Sequence, residues 1–392
     1  MKISSWPYYS DDEIKKTSEI LSSGRVNYWT GNETKSFEKE FAFFSQSKYA
    51  VAVANGSLAL SCAYLSLNLK TGDEIITTPR TFIATSSSAL LLGIKPVFAD
   101  VDINSGCIKC ESIEKLITKK TKAITVVHLA GWPAEMQRIC ELAKAYNLSV
   151  IEDCSQAHGA GISVDGVLKP VGSFGDIATW SFCQDKIIST GGEGGMINTN
   201  NKEIYQKIWS FKDHGKCLES LINSNQKGFK WIHNHLGSNF RLTEMQSAIG
   251  RIQLKKINLW NELRTRNALI FAETLANIKY LRIPLPPMDI KHAWYKFNCF
   301  IDVSRLKSDW DRDRIIDEIN NKGYPAFHGG CGEIYLEKCF KDKGITPLVR
   351  LKNAKQLAET NLMFLVHPNI TESEMIKYAD IVKTVIKKSL KN

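Results

Sequence analysis

The chain has 392 residues, 43% of them hydrophobic and 23% charged, which is ordinary for a globular protein and excludes a largely disordered one. Lys and Arg exceed Asp and Glu by 51 to 41, a net charge of +10, but the basic residues are scattered, which argues against binding of nucleic acid. No window approaches the ~18 consecutive apolar residues of a membrane span, and the start, MKISSWPYYSDDEIKK, lacks the apolar run of a secretory signal. We therefore expect a cytoplasmic protein of more than one domain, without a membrane or nucleic-acid partner.

The ten cysteines are dispersed and mostly lie within apolar runs, which is typical of reduced, buried thiols in a cytosolic protein. Cys107 and Cys110 form one C-x-x-C, but no second ligand pair at the spacing of a zinc site accompanies it. The triplet at 233–235, His-Asn-His, also lacks a third ligand. We expect no metal site.

Short β-branched runs alternate with helical patterns from residue 49 onward. Between two of these runs, PAEMQRICELAKAYN has the apolar spacing of an amphipathic helix. The runs with strand character are YAVAVA, DEIITTP, KPVFADVD, KAITVVHLAG, LSVIEDC, DIATWSFC and GGMINTN. This alternation predicts an α/β fold with a mostly parallel central sheet covered by helices on both faces.

The pattern changes beyond about Leu254. A long helical stretch ends at the prolines of IPLPPMDI, and YKFNCFIDV then has the composition of a strand. DRDRIIDEINNKG and SEMIKYADIVKTVIKKSL predict two more helices, the first closed by Gly323. We expect a large domain over residues 1–254, including an N-terminal arm, and a smaller α+β domain over residues 255–392.

Polar residues stand where three of the predicted strands end, which is where ligands bind in parallel α/β sheets. The turn 55–57, Asn-Gly-Ser, precedes a helix whose N-terminal amides suit a phosphate. Asp153 ends a second strand, where it would serve equally well as a helix cap, and Ser181 ends a third. Lys186 follows in SFCQDKIISTGGEGGM, as a nucleophile or as a solvated charge beside a flexible turn. A phosphate turn, a carboxylate and a lysine are together the set that pyridoxal 5'-phosphate (PLP) requires.

The chain resembles the sugar aminotransferases of the DegT/DnrJ family, which have the fold type I of aspartate aminotransferase. The resemblance covers almost the whole chain. The motifs that carry it are ANGSLAL, TPRTFIAT, VIEDCSQAHG, SFCQDKIISTGGEGG and GSNFRLTEMQSAIG, in the order of the family.

The resemblance implies PLP as the cofactor, with Lys186 and Asp153 as catalytic residues. The implied cofactor contacts are Gly56, Ser57 and Ser181 to the phosphate, Phe82 stacked on the ring, Gln156 to the phenolic oxygen, Asp153 to the pyridinium nitrogen and Lys186 in a covalent bond. Asn239, in GSNFR, is implied to reach the phosphate bound by a neighbouring subunit, which makes the active unit a homodimer with shared sites. In the GGEGG run, we expect a close approach of backbone to the site and a positive φ at one of the last two glycines, a plain flexible turn being the alternative.

Substrate contacts are expected from Tyr28 and Trp29 in NYWTG and from His328 and Glu333, since these segments line the sugar pocket in similar enzymes. The expected reaction is transamination of a nucleotide-linked keto-deoxysugar with L-glutamate as donor, for lipopolysaccharide or another surface polysaccharide. A free oxidised sugar acid, such as an 8-keto-octulosonate, is the alternative acceptor. Rival functions are a PLP-dependent sugar dehydratase, in which one branch of the family has histidine where this chain has Lys186, and a non-catalytic protein with the same fold.

Overall fold

Thirteen helices and fourteen strands are present in the computed structural model, which describes residues 2–223 and 232–391. The helices are α1 Asp11–Ser23, α2 Glu33–Phe44, α3 Gly56–Ser66, α4 Ala84–Leu91, α5 Cys110–Glu114, α6 Met136–Ala145, α7 Lys202–Lys212, α8 Leu218–Asn223, α9 Glu244–Leu275, α10 Arg312–Asn321, α11 Lys338–Lys341, α12 Lys352–Thr360 and α13 Glu372–Ser389. The strands are β1 Tyr49–Val53, β2 Glu74–Thr77, β3 Lys95–Phe98, β4 Thr121–Val127, β5 Ser149–Asp153, β6 Gly161–Val164, β7 Val167–Pro170, β8 Ile177–Ser181, β9 Gly195–Thr199, β10 Leu281–Arg282, β11 Ile290–Lys291, β12 Phe297–Ile301, β13 Ala326–Phe327 and β14 Asn361–Phe364.

The seven strand-like runs of the sequence form one central sheet in the order β1-β9-β8-β5-β4-β2-β3. Strands β3, β2, β4, β5 and β8 pair in parallel. β9 is antiparallel to both of its neighbours, β1 and β8. The connection from β8 to β9 contains no helix, whereas parallel crossovers usually do. The prediction of a mostly parallel central sheet is confirmed.

Helices cover both faces of this sheet because its strands are apolar on both sides. Ile177 of β8 packs in a cluster with residues of α3 and α7, whereas the next residue, Ala178, packs in a cluster with residues of α2 and α9. Successive side chains of a strand point to opposite faces. This two-sided burial explains why the runs are continuously apolar rather than alternating with polar residues.

A second, four-stranded antiparallel sheet, β10-β12-β14-β13, packs with α10, α13 and the end of α9 around a separate core. Ile3 from the N-terminal segment is also part of this core. Helix α9 begins at Glu244 because Thr243 caps it by accepting a hydrogen bond from the Gln246 amide, and it continues through position 254. The division at residues 254/255 therefore stays a prediction.

A third sheet, β11-β6-β7, is antiparallel and lies beside the central sheet. Among the described helices, none has both the length and the hydrophobicity to cross a membrane.

Candidate active site

A cavity of about 830 Å³ opens at the carboxyl ends of β5 and β8 and reaches the second sheet. Seven of the residues predicted from the sequence line it together: Gly56, Ser57, Phe82, Asp153, Gln156, Ser181 and Lys186. Ligands of parallel sheets bind at this edge. The fold thus brings the predicted phosphate turn, carboxylate and lysine to one wall.

The predicted phosphate turn is the first turn of α3. Asn55 caps this helix, its Oδ1 accepting from the Leu58 amide at 2.9 Å. The first amides of a helix have no intrahelical acceptor, and they carry the positive end of its dipole. A Cβ on Gly56 would lie 2.7 Å from the Cβ of Ser181, so only glycine allows the Ser181 side chain to come this close to the turn. Amides, dipole and hydroxyl together form a cradle that fits a phosphate.

The carboxylate of Asp153 lies at the end of β5 and is 5% exposed. Its Oδ2 accepts a hydrogen bond from Thr85 Oγ1 at 2.8 Å, and its Oδ1 accepts from the Ser155 amide at 3.2 Å. These bonds fix the orientation of the carboxylate toward the cavity that it lines. A fixed, buried carboxylate fits the protonated ring nitrogen of PLP.

The amine of Lys186 lies beside two side chains that the sequence did not reveal. Its Nζ is 3.4 Å from the Tyr295 hydroxyl oxygen, and that hydroxyl donates to Asp185. Burial raises the pKa of Asp185, but Lys186 and Tyr295 outweigh it and hold that pKa below its usual range. The backbone carbonyl of Lys186 accepts from Trp6 Nε1 at 2.9 Å, which anchors the main chain under the lysine.

Gln156 and Phe82 supply the sides of the cavity. Gln156 Oε1 accepts from the Ala130 amide at 2.7 Å, so its NH₂ group remains as the donor for a ligand oxygen. The Phe82 ring is 64% exposed although it lines the cavity, which leaves a face against which a planar ring can stack. Both placements fit the predicted cofactor contacts.

The glycine run after Lys186 differs in one respect from the expectation. Positive φ occurs at Gly191 (76°) and Gly192 (114°), and not at Gly194 or Gly195. The prediction of positive φ at one of the last two glycines is therefore wrong, because the chain has already turned and enters β9 there. The expected close approach is found at Gly195, where a Cβ would lie 2.5 Å from the carbonyl oxygen of Asn55.

The N-terminal residues predicted to contact substrate are not on the wall of this cavity. Tyr28 is buried, and its hydroxyl accepts from Trp209 Nε1 at 3.3 Å, while the Lys212 ammonium lies over its ring. Trp29 is exposed, with Lys216 Nζ 4.4 Å from its ring centroid. Packing in the same chain thus already explains the position of Tyr28.

His328 and Glu333 are also absent from the lining of the cavity. The exposed ring of His328 has its Nε2 3.3 Å from Asp313 Oδ1. The Glu333 carboxylate accepts from Arg350 and from the Tyr335 hydroxyl. Burial raises the pKa of Glu333, but these partners hold it below its usual range. A carboxylate with two partners has little capacity left for a sugar hydroxyl.

Asn239 is exposed and lies outside the cavity of its own chain. It forms an isolated bridge with Asp213. Its neighbours hold this segment next to the end of β1, since Phe240 accepts from the Ala54 amide and Arg241 pairs with Val53. Asn239 therefore lies near the same end of β1 as the predicted phosphate turn, but it does not line the cavity of its own subunit.

One cluster of three metal-ligand types occurs in residues 2–223 and 232–391: His128, Glu152 and Cys154, all buried. The Glu152 carboxylate already accepts from His128 Nε2 and from the amides of Gly172, Phe174 and Gly175. The His128 ring accepts from the Ala134 amide through Nδ1. These bonds use both oxygens of the carboxylate and both nitrogens of the ring, so the cluster is a structural network.

Several residues of the cavity wall were not predicted from the sequence. They are Arg80, Thr85, Asp185, Arg264, Tyr295, Lys296 and His367. Arg80 and Thr85 lie within TPRTFIAT and Asp185 directly precedes Lys186, so their motifs were a signal that was available.

Comparison with known proteins agrees with this arrangement. The DegT/DnrJ/EryC1/StrS aminotransferase family model matches residues 7–383. The dTDP-3-amino-3,6-dideoxy-alpha-D-galactopyranose transaminase of Aneurinibacillus thermoaerophilus is 37% identical over 291 residues, 74% of this chain and 75% of the relative. The X-ray structure of an aminotransferase from Psychrobacter cryohalolentis is 46% identical, with a TM-score of 0.96 over 99% of both chains. NtdA from Bacillus subtilis, solved with bound cofactor PMP, is 28% identical, with a TM-score of 0.82 over 96% of this chain and 83% of that one. The chain therefore belongs to the DegT/DnrJ/EryC1/StrS aminotransferase family and is a PLP-dependent sugar aminotransferase.

Proposed function

We propose that this enzyme transfers the amino group of L-glutamate to the keto carbon of a nucleotide-linked deoxysugar, in the synthesis of a surface polysaccharide. The observation that carries the proposal is that the predicted phosphate turn, Asp153 and Lys186 all lie on the wall of one cavity. Its volume, about 830 Å³, is in the range of small-molecule sites and leaves space for a sugar beside the cofactor. The name of the relative that transaminates a dTDP-linked dideoxysugar supports an acceptor of this class.

When bound, PLP supplies an aldehyde carbon that takes up the amino group and a ring that accepts electrons when the substrate carbon loses its proton. In our proposal the amides of Gly56 and Ser57 and the hydroxyl of Ser181 bind the phosphate. Asp153 holds a proton on the ring nitrogen, and Thr85, which donates to Asp153 Oδ2, keeps the carboxylate in the orientation that this requires.

Lys186 performs the proton transfers in this proposal. Its Nζ would be the covalent attachment point of the cofactor, and as a free amine it would be the base that removes and returns the proton at the substrate carbon. The Tyr295 hydroxyl donates its hydrogen bond to Asp185, so its oxygen is oriented to accept from Nζ, 3.4 Å away. Tyr295 thereby positions the base.

A panel of keto sugars with L-glutamate, followed by detection of 2-oxoglutarate, tests the reaction. We expect turnover by the wild type, none by Lys186→Ala, and unchanged turnover by Lys119→Ala, which removes an exposed lysine. Sugar conversion without 2-oxoglutarate would indicate a dehydratase instead. PLP binding without any sugar conversion would indicate the non-catalytic alternative.

We also propose that the active unit is a homodimer in which Asn239 contacts the phosphate held by the partner subunit. The exposed position of Asn239 at the edge that carries the phosphate turn supports this arrangement. Mixed dimers of Lys186→Ala and Asn239→Ala chains test it, because a shared site would leave one of the two sites with both residues intact. Recovery of turnover to about half the wild-type level in purified mixed dimers is expected on this count of sites. No recovery would mean that both residues act within one chain.

For its location we propose the cytoplasm. Five cysteines are buried free thiols, as suits a reducing compartment: Cys62, Cys107, Cys110, Cys154 and Cys299. Cell fractionation of the producing organism tests this proposal, and recovery from an extracellular or periplasmic fraction would contradict it.

A further inference from the structure

Arg80 is a buried arginine on the cavity wall whose guanidinium lacks a partner. The residue is 4% exposed, and its Nε and Nη1 atoms are both buried without a hydrogen bond to any residue that the structure describes. Buried guanidinium groups are normally paired, since they are always charged and carry five donors. Arg264, the other unpaired arginine on this wall, donates through Nη1 to two backbone carbonyls and stacks on Trp6. Arg80 has no comparable contact.

Glycines lie on two sides of the Arg80 side chain. A Cβ on Gly106 would lie 3.5 Å from Nε, and a Cβ on Gly332 would lie 3.6 Å from Nη1. A Cβ at either position would also meet another side chain, Leu129 at 2.9 Å for Gly106 and Ala358 at 2.3 Å for Gly332. Two glycines thus lie close to the buried guanidinium nitrogens, and Arg80 is part of the cavity wall.

The acidic groups around Arg80 are already used. Glu333 accepts from Arg350 and Tyr335. Asp102 accepts from the amides of Asn104 and Ser105. The Cys107 thiol is neutral, since burial raises its pKa to about 12. Glu333 attracts Arg80 electrostatically, but among the described residues no carboxylate forms a hydrogen bond or an ion pair with it. Burial lowers the pKa of Arg80 only to about 10, which leaves it charged at neutral pH.

A second cation lies on the same wall. Lys296, Asn298 and Arg80 each line both the main cavity and a small side cavity of about 30 Å³, so they meet where the two cavities join. The nearest carboxylate to Lys296 is that of Asp185, 3.9 Å from its Nζ, and Asp185 is already bonded to Tyr295. This corner of the active site has an excess of positive charge and of hydrogen-bond donors.

We propose that Arg80 binds a carboxylate of the substrate, with Lys296 adding a second positive charge. The planar fork of a guanidinium matches a carboxylate through two parallel hydrogen bonds. In a transaminase the amino donor and the acceptor occupy the same site in turn, so the carboxylate comes from the donor, from a sugar acid that serves as acceptor, or from both. This inference rests on the proposed use of L-glutamate as donor, and it extends that proposal to a specificity-determining residue.

Binding of glutarate to the PLP-loaded enzyme tests the inference without any acceptor, because this dicarboxylate has no amino group and cannot react. Cofactor absorbance reports the binding. We expect Arg80→Gln to raise the Kd for glutarate at least tenfold, Arg80→Lys to recover part of the loss, and Arg138→Gln, at an exposed arginine, to leave the Kd unchanged. An equal Kd for wild type and Arg80→Gln, together with unchanged rates of both half-reactions, overturns the proposal.

Thermal unfolding separates binding from a structural role. Removing an unpaired buried charge relieves a desolvation penalty, so we expect the Tm of ligand-free Arg80→Gln to equal or exceed that of the wild type. Glutarate should raise the Tm of the wild type and not that of the variant. A lower Tm of the ligand-free variant, with glutarate stabilising both proteins equally, would mean that Arg80 is structural.

The two half-reactions identify the source of the carboxylate. If only the reaction with L-glutamate slows in Arg80→Gln, the carboxylate belongs to the donor. If the reaction of the amine-loaded enzyme with its keto sugar also slows, or slows alone, the acceptor is an acid. Unchanged rates of both half-reactions overturn the inference, and they would leave the proposed transamination intact, so the two proposals fail separately.

Discussion

Gly195→Ala is a test of how the central sheet positions the phosphate turn. Gly195 is the first residue of β9, where it lies opposite Val53 of β1 and Ser181 of β8. A Cβ here would lie 2.5 Å from the carbonyl oxygen of Asn55, 2.6 Å from its carbonyl carbon and 3.0 Å from the Gly56 nitrogen. All three atoms belong to backbone, so no side-chain rotation can relieve the contact.

The size of the effect follows from these distances. Real Cβ atoms essentially never approach other heavy atoms closer than 3.0 Å, so the Asn55 carbonyl must retreat by about 0.5 Å. That carbonyl also accepts from the Ala59 amide in the first turn of α3. Overpacking of this kind costs roughly 1–3 kcal/mol of unfolding free energy. Loss of one hydrogen bond to a charged phosphate costs about 1.5–3 kcal/mol more in binding, or ~10- to 100-fold in PLP affinity.

Two measurements check the prediction. Urea unfolding of the cofactor-free protein reports the overpacking, and titration of the same protein with PLP reports the phosphate turn. Gly330→Ala is the stability control, because it adds the same methyl group where no heavy atom lies within 4 Å. Wild-type PLP affinity in Gly195→Ala would refute the assignment of the Gly56–Ser57 turn to the phosphate, even if stability fell as expected.

The remaining predictions concern single hydrogen-bonded groups. Glu152→Gln should lower the unfolding free energy at pH 7 by about 3 kcal/mol in a urea titration. Each oxygen of this carboxylate accepts two hydrogen bonds, so the NH₂ group of glutamine would face donors in either orientation. The control Glu141→Gln, at an exposed glutamate, should have little effect in the same titration. Burial raises the pKa of Glu152, but its hydrogen bonds hold the pKa below its ordinary value of 4.5, so its stabilising contribution is full above pH 4.5 and is lost as the pH falls toward the folded-state pKa. The difference between wild type and Glu152→Gln should therefore shrink on acidification, and a difference independent of pH would contradict this. Tyr295→Phe should lower kcat about tenfold with PLP affinity unchanged, since it removes only the hydroxyl that bonds to Lys186 Nζ and to Asp185. A matching loss of PLP affinity would contradict a role limited to the base. Ser181→Ala should weaken PLP binding by about tenfold in titration and leave the folded state intact, and an unchanged affinity would remove the serine from the phosphate site.

The meeting of Gly56, Asp153 and Ser181 in one cavity was predictable because these residues lie at places where local structure determines their position. Asp153 and Ser181 end parallel strands, and the Gly56 turn begins a helix after another strand. The carboxyl ends of parallel strands meet at one edge of a sheet, so strand assignments alone bring these residues together. The sequence also contains the capping signal at Thr243, with Gln246 three residues later, and this cap explains why the long helix begins before the predicted domain boundary.

Only the tertiary structure decided which side chains are free to act. Tyr28 and Glu333 were expected at the substrate, but the first is buried against Trp209 and the second is bonded to Arg350. Arg80 lies in TPRTFIAT, a motif in which only Phe82 was predicted to contact the cofactor. Nothing in the local sequence indicates that the Arg80 guanidinium is buried without a hydrogen-bond partner. The periodicity of a sequence determines which face of an element is apolar, whereas the partner of a polar group depends on residues far away in the chain, which are brought close only by packing.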